Sequence, residues 1–142
     1  MSERTDNKKD IRIGVIGKGF VGTAVAHGFS HQTSYGANIK IYDINPAKSQ
    51  NTLEDTVNNS DFLFLSVPTP SSKDGTMDLS VVKNALKSMN DINENKDNIV
   101  LLRSTVVPGT TKMLQEKFSN LRFVFNPEFL TERSAIFDFI NQ

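Results

Sequence analysis

Cysteine is absent from this 142-residue chain, which excludes a disulfide framework, a thiolate metal site and a thiol nucleophile supplied by these residues. Excess charge is absent too. Sixteen Lys and Arg balance sixteen Asp and Glu, so the chain as a whole exerts no broad attraction on nucleic acid or an anionic membrane, and any phosphate recognition must be local. No apolar run approaches the roughly 20 residues that cross a bilayer. The first ten residues, MSERTDNKKD, mix acids with bases and hold no apolar stretch, so residues 1–10 read as a flexible tail and not as a secretory signal. Internal repeats and low-complexity tracts are missing as well. What these absences leave is a cytoplasmic protein with one domain over residues 11–142, able to bury roughly two thirds of its unfolded surface.

Glycine, scarce elsewhere, is concentrated at one place: four of the eight glycines fall in IRIGVIGKGFVG, residues 11–22. Residues 11–16 are β-branched and apolar on both faces, as in a strand covered on both sides. From Phe20 the pattern becomes helical, with Val21, Ala24, Val25 and Gly28 on one face. Gly17, Gly19 and Gly22 thus form G-x-G-x-x-G between a strand and a helix. In a dinucleotide fingerprint the first glycine makes the tight turn, the second leaves room for a diphosphate against the backbone, and the third lets helix and strand approach. The helix start presents unpaired N–H groups to such an anion. Asp43 ends the next strand, 21 positions after Gly22, where this fold places the acid that accepts from the adenosine ribose hydroxyls and repels a 2′-phosphate, favouring NAD over NADP. An aspartate at 43 would also suit a turn or a helix cap, and an exposed Lys18 needs no ligand to explain it. Gly14, outside the triplet, serves close packing.

Further strands are expected at residues 38–42, 62–66, 99–103 and 121–125. Between them, residues 48–58, 80–89 and 110–118 have spacing nearer to helical than to alternating. Strand and helix in strict alternation predict right-handed crossovers and a Rossmann-type doubly wound parallel sheet in a single three-layer αβα domain. Pro68 and Pro70 end the third strand near Ser66. Of the polar loops, residues 90–98 are the less suited to function. The phenylalanines at 62, 64, 123 and 125 read as core, and His27 and His31, with no acid or thiol at ligand spacing, read as structural or solvated. No metal site is expected.

GKGFVG with Asp43, SVPTP (residues 66–70), DGTMDLS (74–80), STVVPGTT (104–111) and NPEFLTERSAIFDF (126–139) resemble, in order and over nearly the whole chain, the N-terminal NAD-binding domain of the UDP-glucose/GDP-mannose dehydrogenase family. That resemblance implies an oxidoreductase that oxidises the C6 alcohol of a nucleotide-sugar to a carboxylate with two NAD, through a cysteine thiohemiacetal and thioester. It implies cofactor binding by Gly17, Gly19, Phe20, Val21, Gly22, Asp43, Lys48, Val67, Pro68, Thr69, Ser104 and Thr105. It also implies catalytic roles for Thr105, Glu128 and Glu132, and substrate contacts by Phe129, Leu130 and Glu132. Spacing alone puts Glu128 and Glu132 on one helical face, a pattern that solvated carboxylates also give.

The pattern departs from the family in three ways. Family members continue past this point into a second domain that carries the cysteine, so these residues alone are not expected to complete the oxidation. Eighteen positions separate Asp43 from Asp61, about half the family's usual segment, which predicts a sheet lacking one edge strand. Arg133 stands where the family has glycine, and would either crowd the pocket at Glu132 or pair with that glutamate. The leading expectation is the NAD-binding portion of a nucleotide-sugar 6-dehydrogenase, truncated or completed by a separate C-terminal-domain partner. The alternative is a stand-alone, non-catalytic module that binds NAD or a UDP- or GDP-sugar. A small-hydroxyacid dehydrogenase ranks below both, because NPEFLTE argues against it. Phe129, Leu130, Ile136, Phe137 and Ile140 recur at near-helical spacing, predicting an apolar face that seeks a partner or a second copy.

Overall fold

The computed structural model describes residues 10–33, 35–104, 106–126 and 132–141, the last segment without the Glu132 side chain. Five strands form one parallel sheet: β1 (Arg12–Ile16), β2 (Asn38–Tyr42), β3 (Phe62–Leu65), β4 (Ile99–Leu102) and β5 (Phe123–Phe125), in the order β2-β1-β3-β4-β5. Helices α1 (Phe20–Phe29), α2 (Leu53–Asn58), α3 (Ser80–Ile92) and α4 (Thr110–Lys117) make the crossovers; a 3-10 turn at Glu132–Ser134 leads into α5 (Ala135–Asn141). The chain leaves β1 for β2 on one side and returns to pair β3 on the other, with Val15 opposite both Ile41 and Phe64. The sheet's reversal of direction therefore lies between β1 and β3, where an open parallel sheet leaves a crevice at its carboxyl edge.

Two apolar clusters flank the sheet. On one face Leu63, Leu65, Val100 and Leu102 pack with Val57 of α2, Leu86 of α3 and Leu114 of α4. On the other, Ile13, Val15, Ile41 and Phe64 pack with Val25 of α1, and Phe139 of α5 joins them. Burying each of these large side chains contributes roughly 1.5–3 kcal/mol. Phe139 sits against Gly28, where a Cβ would fall 2.2 Å from its ring, so α5 can lie on α1 only because position 28 has no side chain. Gly14 is equally tight, its would-be Cβ 2.6 Å from Leu63 and 2.7 Å from Ser60.

Three differences from the sequence reading have physical causes. Residues 48–52 are not helical, and α2 begins only after Thr52, whose Oγ1 accepts the Asp55 N–H (3.1 Å). The preceding residues instead line the outer side of β2: the N–H groups of Gln50 and Asn51 donate to the Ile41 carbonyl (3.0 and 2.9 Å), and Asn51 Oδ1 accepts the Ile41 N–H (3.0 Å). Among the described residues β2 is the outermost strand on its side, and this loop satisfies its edge as a further strand would. Second, Phe64 is core, but Phe62 and Phe125 are 39% and 42% exposed, because they begin β3 and end β5 at opposite rims of the sheet. Third, the polar stretch 90–98 is partly interior: Asn93 and Asn98 are buried and bond one another, with further bonds to the Asn120 and Val57 carbonyls. The apolar face expected on α5 is present in Ile136, Phe137 and Ile140, which are exposed, while Phe139 turns inward.

Candidate functional site: the crevice at the carboxyl edge of the sheet

The glycine turn connects β1 to α1. Gly17 has φ +93°, a backbone conformation that side chains disfavour; its N–H donates to the Tyr42 carbonyl (2.9 Å), and a Cβ there would lie 2.7 Å from the Ser66 carbonyl oxygen. Gly22 closes the turn from inside α1, where a Cβ would fall 2.0 Å from the Gly17 carbonyl oxygen. Gly19 differs from both. It is the N-cap of α1, its φ of −81° suits any residue, and a Cβ added to it meets no atom within 4 Å. Packing therefore does not require glycine at 19, whereas a ligand lying against that backbone would. The start of α1 has no side-chain cap and no acid in its first turn, so the N–H groups ahead of Thr23 lack intrahelical acceptors and stay available to an anion.

Asp43 follows β2 and reaches into the same turn. Its Oδ2 accepts the Lys18 N–H (2.7 Å), and its Oδ1 accepts the Asn45 N–H (2.8 Å). A carboxylate offers about four acceptor positions, so two such bonds fix its orientation without exhausting it. Ser49 Oγ in turn accepts the Asp43 N–H (3.2 Å). On the other flank, Ser104 is buried just beyond β4 and its hydroxyl donates to the Val67 carbonyl (2.7 Å), which ties the loop after β4 to the loop after β3.

These pieces enclose a cavity of about 500 Å³, lined by Gly17, Gly19, Asp43 and Lys48 with Val67 and Pro68, a size and mixture of apolar wall and few polar groups that suit a small ligand. Val81, Asn84, Ala85 and Ser88 of α3 form its far wall. The sequence reading missed them, although Val81, Ala85 and Ser88 fall at i, i+4 and i+7 on one stripe of an amphipathic helix. Phe20, with Lys18 and Gly19, lines a second cavity toward α5. Val21 is half-buried and Gly22 is buried beneath the turn. Thr69 continues the loop from Pro68. Thr105, Glu128, Phe129 and Leu130 and the side chain of Glu132 lie outside the described residues. Among the described residues no three His, Asp or Glu come together to hold a metal, and no helix is long and apolar enough to cross a membrane.

Electrostatic pairing is concentrated away from the crevice. Arg12 and Asp61 bond at the amino edge of the sheet (2.8 Å), which raises the guanidinium's pKa. Lys40 donates to Asp55 (3.0 Å), holding that carboxyl below its usual value of 3.8 with help from Asn59 and Asn51. In the loop before α3, the Thr76 hydroxyl lowers the pKa of Asp74, and the Ser80 N–H lowers that of Asp78.

Residues 47–142 match the family described as UDP-glucose/GDP-mannose dehydrogenase family, NAD binding domain. The chain is 29% identical to the UDP-glucose 6-dehydrogenase AglM of Haloferax volcanii, over 92% of its own length and 39% of that protein's. It is 39% identical to the UDP-glucose 6-dehydrogenase TuaD of Bacillus subtilis, over 64% of its length and 21% of that protein's. Among solved structures it resembles a GDP-mannose dehydrogenase from Pseudomonas aeruginosa, at 25% identity and a TM-score of 0.75, covering 91% of this chain and 38% of that one. It also resembles a UDP-glucose dehydrogenase from Pyrobaculum islandicum, at 26% identity and a TM-score of 0.74, covering 98% and 40%. The chain thus spans about two fifths or less of the relatives it matches. The family match begins after the glycine turn, and the structural likeness extends over that turn as well. The fold, its carboxyl-edge crevice and these likenesses agree: the chain belongs to the UDP-glucose/GDP-mannose dehydrogenase family and carries its Rossmann-type NAD-binding domain.

Proposed function

We propose that this chain is the NAD-binding portion of a nucleotide-sugar 6-dehydrogenase of the UDP-glucose/GDP-mannose type, which oxidises the C6 alcohol of the sugar. The observation that carries the reading is Gly19: a cradle that only a ligand needs, beside free N–H groups of α1 and the oriented Asp43 carboxylate. On this reading the cofactor's diphosphate lies against Gly17, Gly19 and the first turn of α1, contacted by Phe20 and Val21. The adenosine ribose bonds Asp43 near Lys48, and the adenine lies between Val67, Pro68 and α3. Asp43 repels a 2′-phosphate, so NAD is the cofactor and NADP is not. Thr69, Ser104 and Thr105 lead toward the reacting end of the cofactor. When bound, NAD supplies the hydride acceptor, and two equivalents are consumed in taking a primary alcohol to a carboxylate.

Thr105, Glu128 and Glu132 are assigned to the reaction, the glutamates to water activation and to binding NAD or substrate, and Phe129, Leu130 and Glu132 to the sugar-nucleotide. The 142 residues hold no cysteine, so the thiol on which an acyl intermediate forms comes from polypeptide outside them. The exposed Ile136, Phe137 and Ile140 of α5 support a covering surface on that same polypeptide. The missing thiol also favours the second reading, a binding module without turnover.

Titration calorimetry with NAD+ and NADP+ tests the first step, with micromolar to millimolar NAD+ binding and much weaker NADP+ binding expected. No NAD+ binding at millimolar concentration would refute the reading. Hydride transfer from UDP-glucose or GDP-mannose to NAD+ by the purified chain alone would reject the module.

A further inference from the structure

Beyond Gly19 the crevice opens into a second cavity, of about 730 Å³, between the start of α1 and the turn into α5. Three cations line it from three different elements: Lys18 in the glycine turn, Lys48 in the loop after β2, and Arg133 in the 3-10 turn. Among the described residues that line it none is acidic. The three ion pairs among the described residues lie elsewhere, at Arg12–Asp61, Lys40–Asp55 and Lys87–Asp91, so none of these cations is neutralised by a described carboxylate. In a chain with sixteen charges of each sign, three cations around one hollow, none in an ion pair with a described carboxylate, are a local excess that like-charge repulsion opposes. An anion in the hollow would relieve it. Lys48 and Gly19 line both cavities, which sets the cationic hollow immediately beside the glycine turn.

We propose that Arg133 is a cofactor-binding residue that, with Lys18 and Lys48, holds the diphosphate from the side opposite the α1 N–H groups. This rests on the cofactor site proposed above. Arg133 is suited to the role because a guanidinium presents a planar fork of donors that matches two phosphate oxygens. Its position on the turn into α5, which is itself packed on α1 through Phe139 and Gly28, fixes the approach of that fork from outside the crevice. Arg133 lines this cavity and not the one assigned to the adenosine, which makes it a reporter on the diphosphate.

Calorimetry with NAD+, ADP-ribose and adenosine on the unaltered chain, Arg133→Ala, Arg133→Lys and Arg122→Ala tests this. Arg122 bonds the Asp97 carbonyl at the opposite edge of the sheet. Arg133→Ala should weaken NAD+ and ADP-ribose about fivefold, leave adenosine unchanged, and flatten the dependence of NAD+ affinity on salt. Arg133→Lys should restore part of the loss, and Arg122→Ala should change nothing. If Arg133→Ala binds NAD+ and ADP-ribose as the unaltered chain does, with the same salt dependence, this inference falls while the cofactor site stands. If the unaltered chain binds neither ligand, both fall.

Discussion

Two alanine substitutions in one turn separate folding from binding. At Gly22 a methyl group would sit 2.0 Å from the Gly17 carbonyl oxygen and 3.1 Å from Val15. The first neighbour is backbone, so no rotamer change relieves the overlap. Overpacking costs about 1–3 kcal/mol, and a clash with backbone falls in the upper part of that range, about 2–3 kcal/mol, partly offset by alanine's helix propensity, about 1 kcal/mol better than glycine's. A net loss of about 1–2 kcal/mol in a domain of this size lowers the melting midpoint by roughly 3–8 °C. At Gly19 the methyl meets nothing within 4 Å and φ is −81°. Only the N-cap preference is lost, about 0.5 kcal/mol, or roughly 2 °C. The same methyl would occupy the space assigned to the diphosphate, and NAD+ affinity should fall at least tenfold, about 1.4 kcal/mol. Thermal melts without ligand, paired with calorimetry, read both quantities on each variant. Parental NAD+ affinity in Gly19→Ala would refute the placement of the diphosphate. A parental midpoint in Gly22→Ala would refute the packing account of the turn.

Asp43→Asn keeps an acceptor for one of the two N–H groups but removes the charge; NAD+ affinity should fall about tenfold, from the value of hydrogen bonds to a charged group, while the preference for NAD+ over NADP+ narrows in competition calorimetry. Leu86→Ala, at a fully buried position, should cost about 2–5 kcal/mol in chemical denaturation without altering cofactor specificity in whatever fraction stays folded. Asn98→Ala removes the amide that donates to the Val57 carbonyl and to Asn93 Oδ1, which keeps only the Asn95 N–H, and should cost about 1–3 kcal/mol, measured the same way. Asp55 has a folded pKa below its ordinary 3.8, so its contribution is complete above that pH and is lost as pH falls through the folded value. Asp55→Asn should therefore lower the melting midpoint at pH 7 and match the parent at strongly acidic pH, in parallel melts across that range.

The sheet was legible because β1, β3 and β4 are apolar on both faces, the mark of a parallel sheet between two helix layers, and all five strands lie within two residues of where the pattern puts them. The glycine turn was legible for a different reason, since its spacing is set by backbone geometry at a single bend. Residues 48–52 were not. Their periodicity suits a helix, but Asn51 is used as a substitute strand on the edge of β2, an interaction with Ile41 ten positions away that no local pattern encodes. The buried Asn93 and Asn98 escaped notice because asparagine ordinarily lies at the surface, and only the convergence of loops from α2, α3 and α4 gives them partners. The α3 wall of the cavity was obscured in a similar way: Val81, Ala85 and Ser88 are unremarkable on a helix until the turn at Ser66–Pro70 brings that helix beside Asp43.

Much of the crevice is held together by bonds that do not involve a ligand. Gly17 N–H to the Tyr42 carbonyl, Ser66 N–H to the Ile16 carbonyl (2.9 Å each), Lys18 N–H to Asp43 and Ser104 to the Val67 carbonyl link the ends of four strands to one another. Three of them use groups that a bound cofactor would not need and the fourth orients the Asp43 carboxylate, and each restricts a loop that would otherwise have to be ordered on binding, at an entropic cost of roughly 1–2 kcal/mol per residue. Among the described residues, what this edge still offers is the N–H donors at the start of α1, the cations Lys18, Lys48 and Arg133, and the remaining acceptor positions of Asp43. A chain with no net charge thus carries, at the bend where the sheet reverses direction, a largely preformed surface of N–H donors and cations beside one oriented carboxylate. Preorganisation of this sort predicts that NAD+ binding leaves the strand ends in place, and that amide exchange on binding slows at the start of α1 and around Arg133 but changes little in β1–β4.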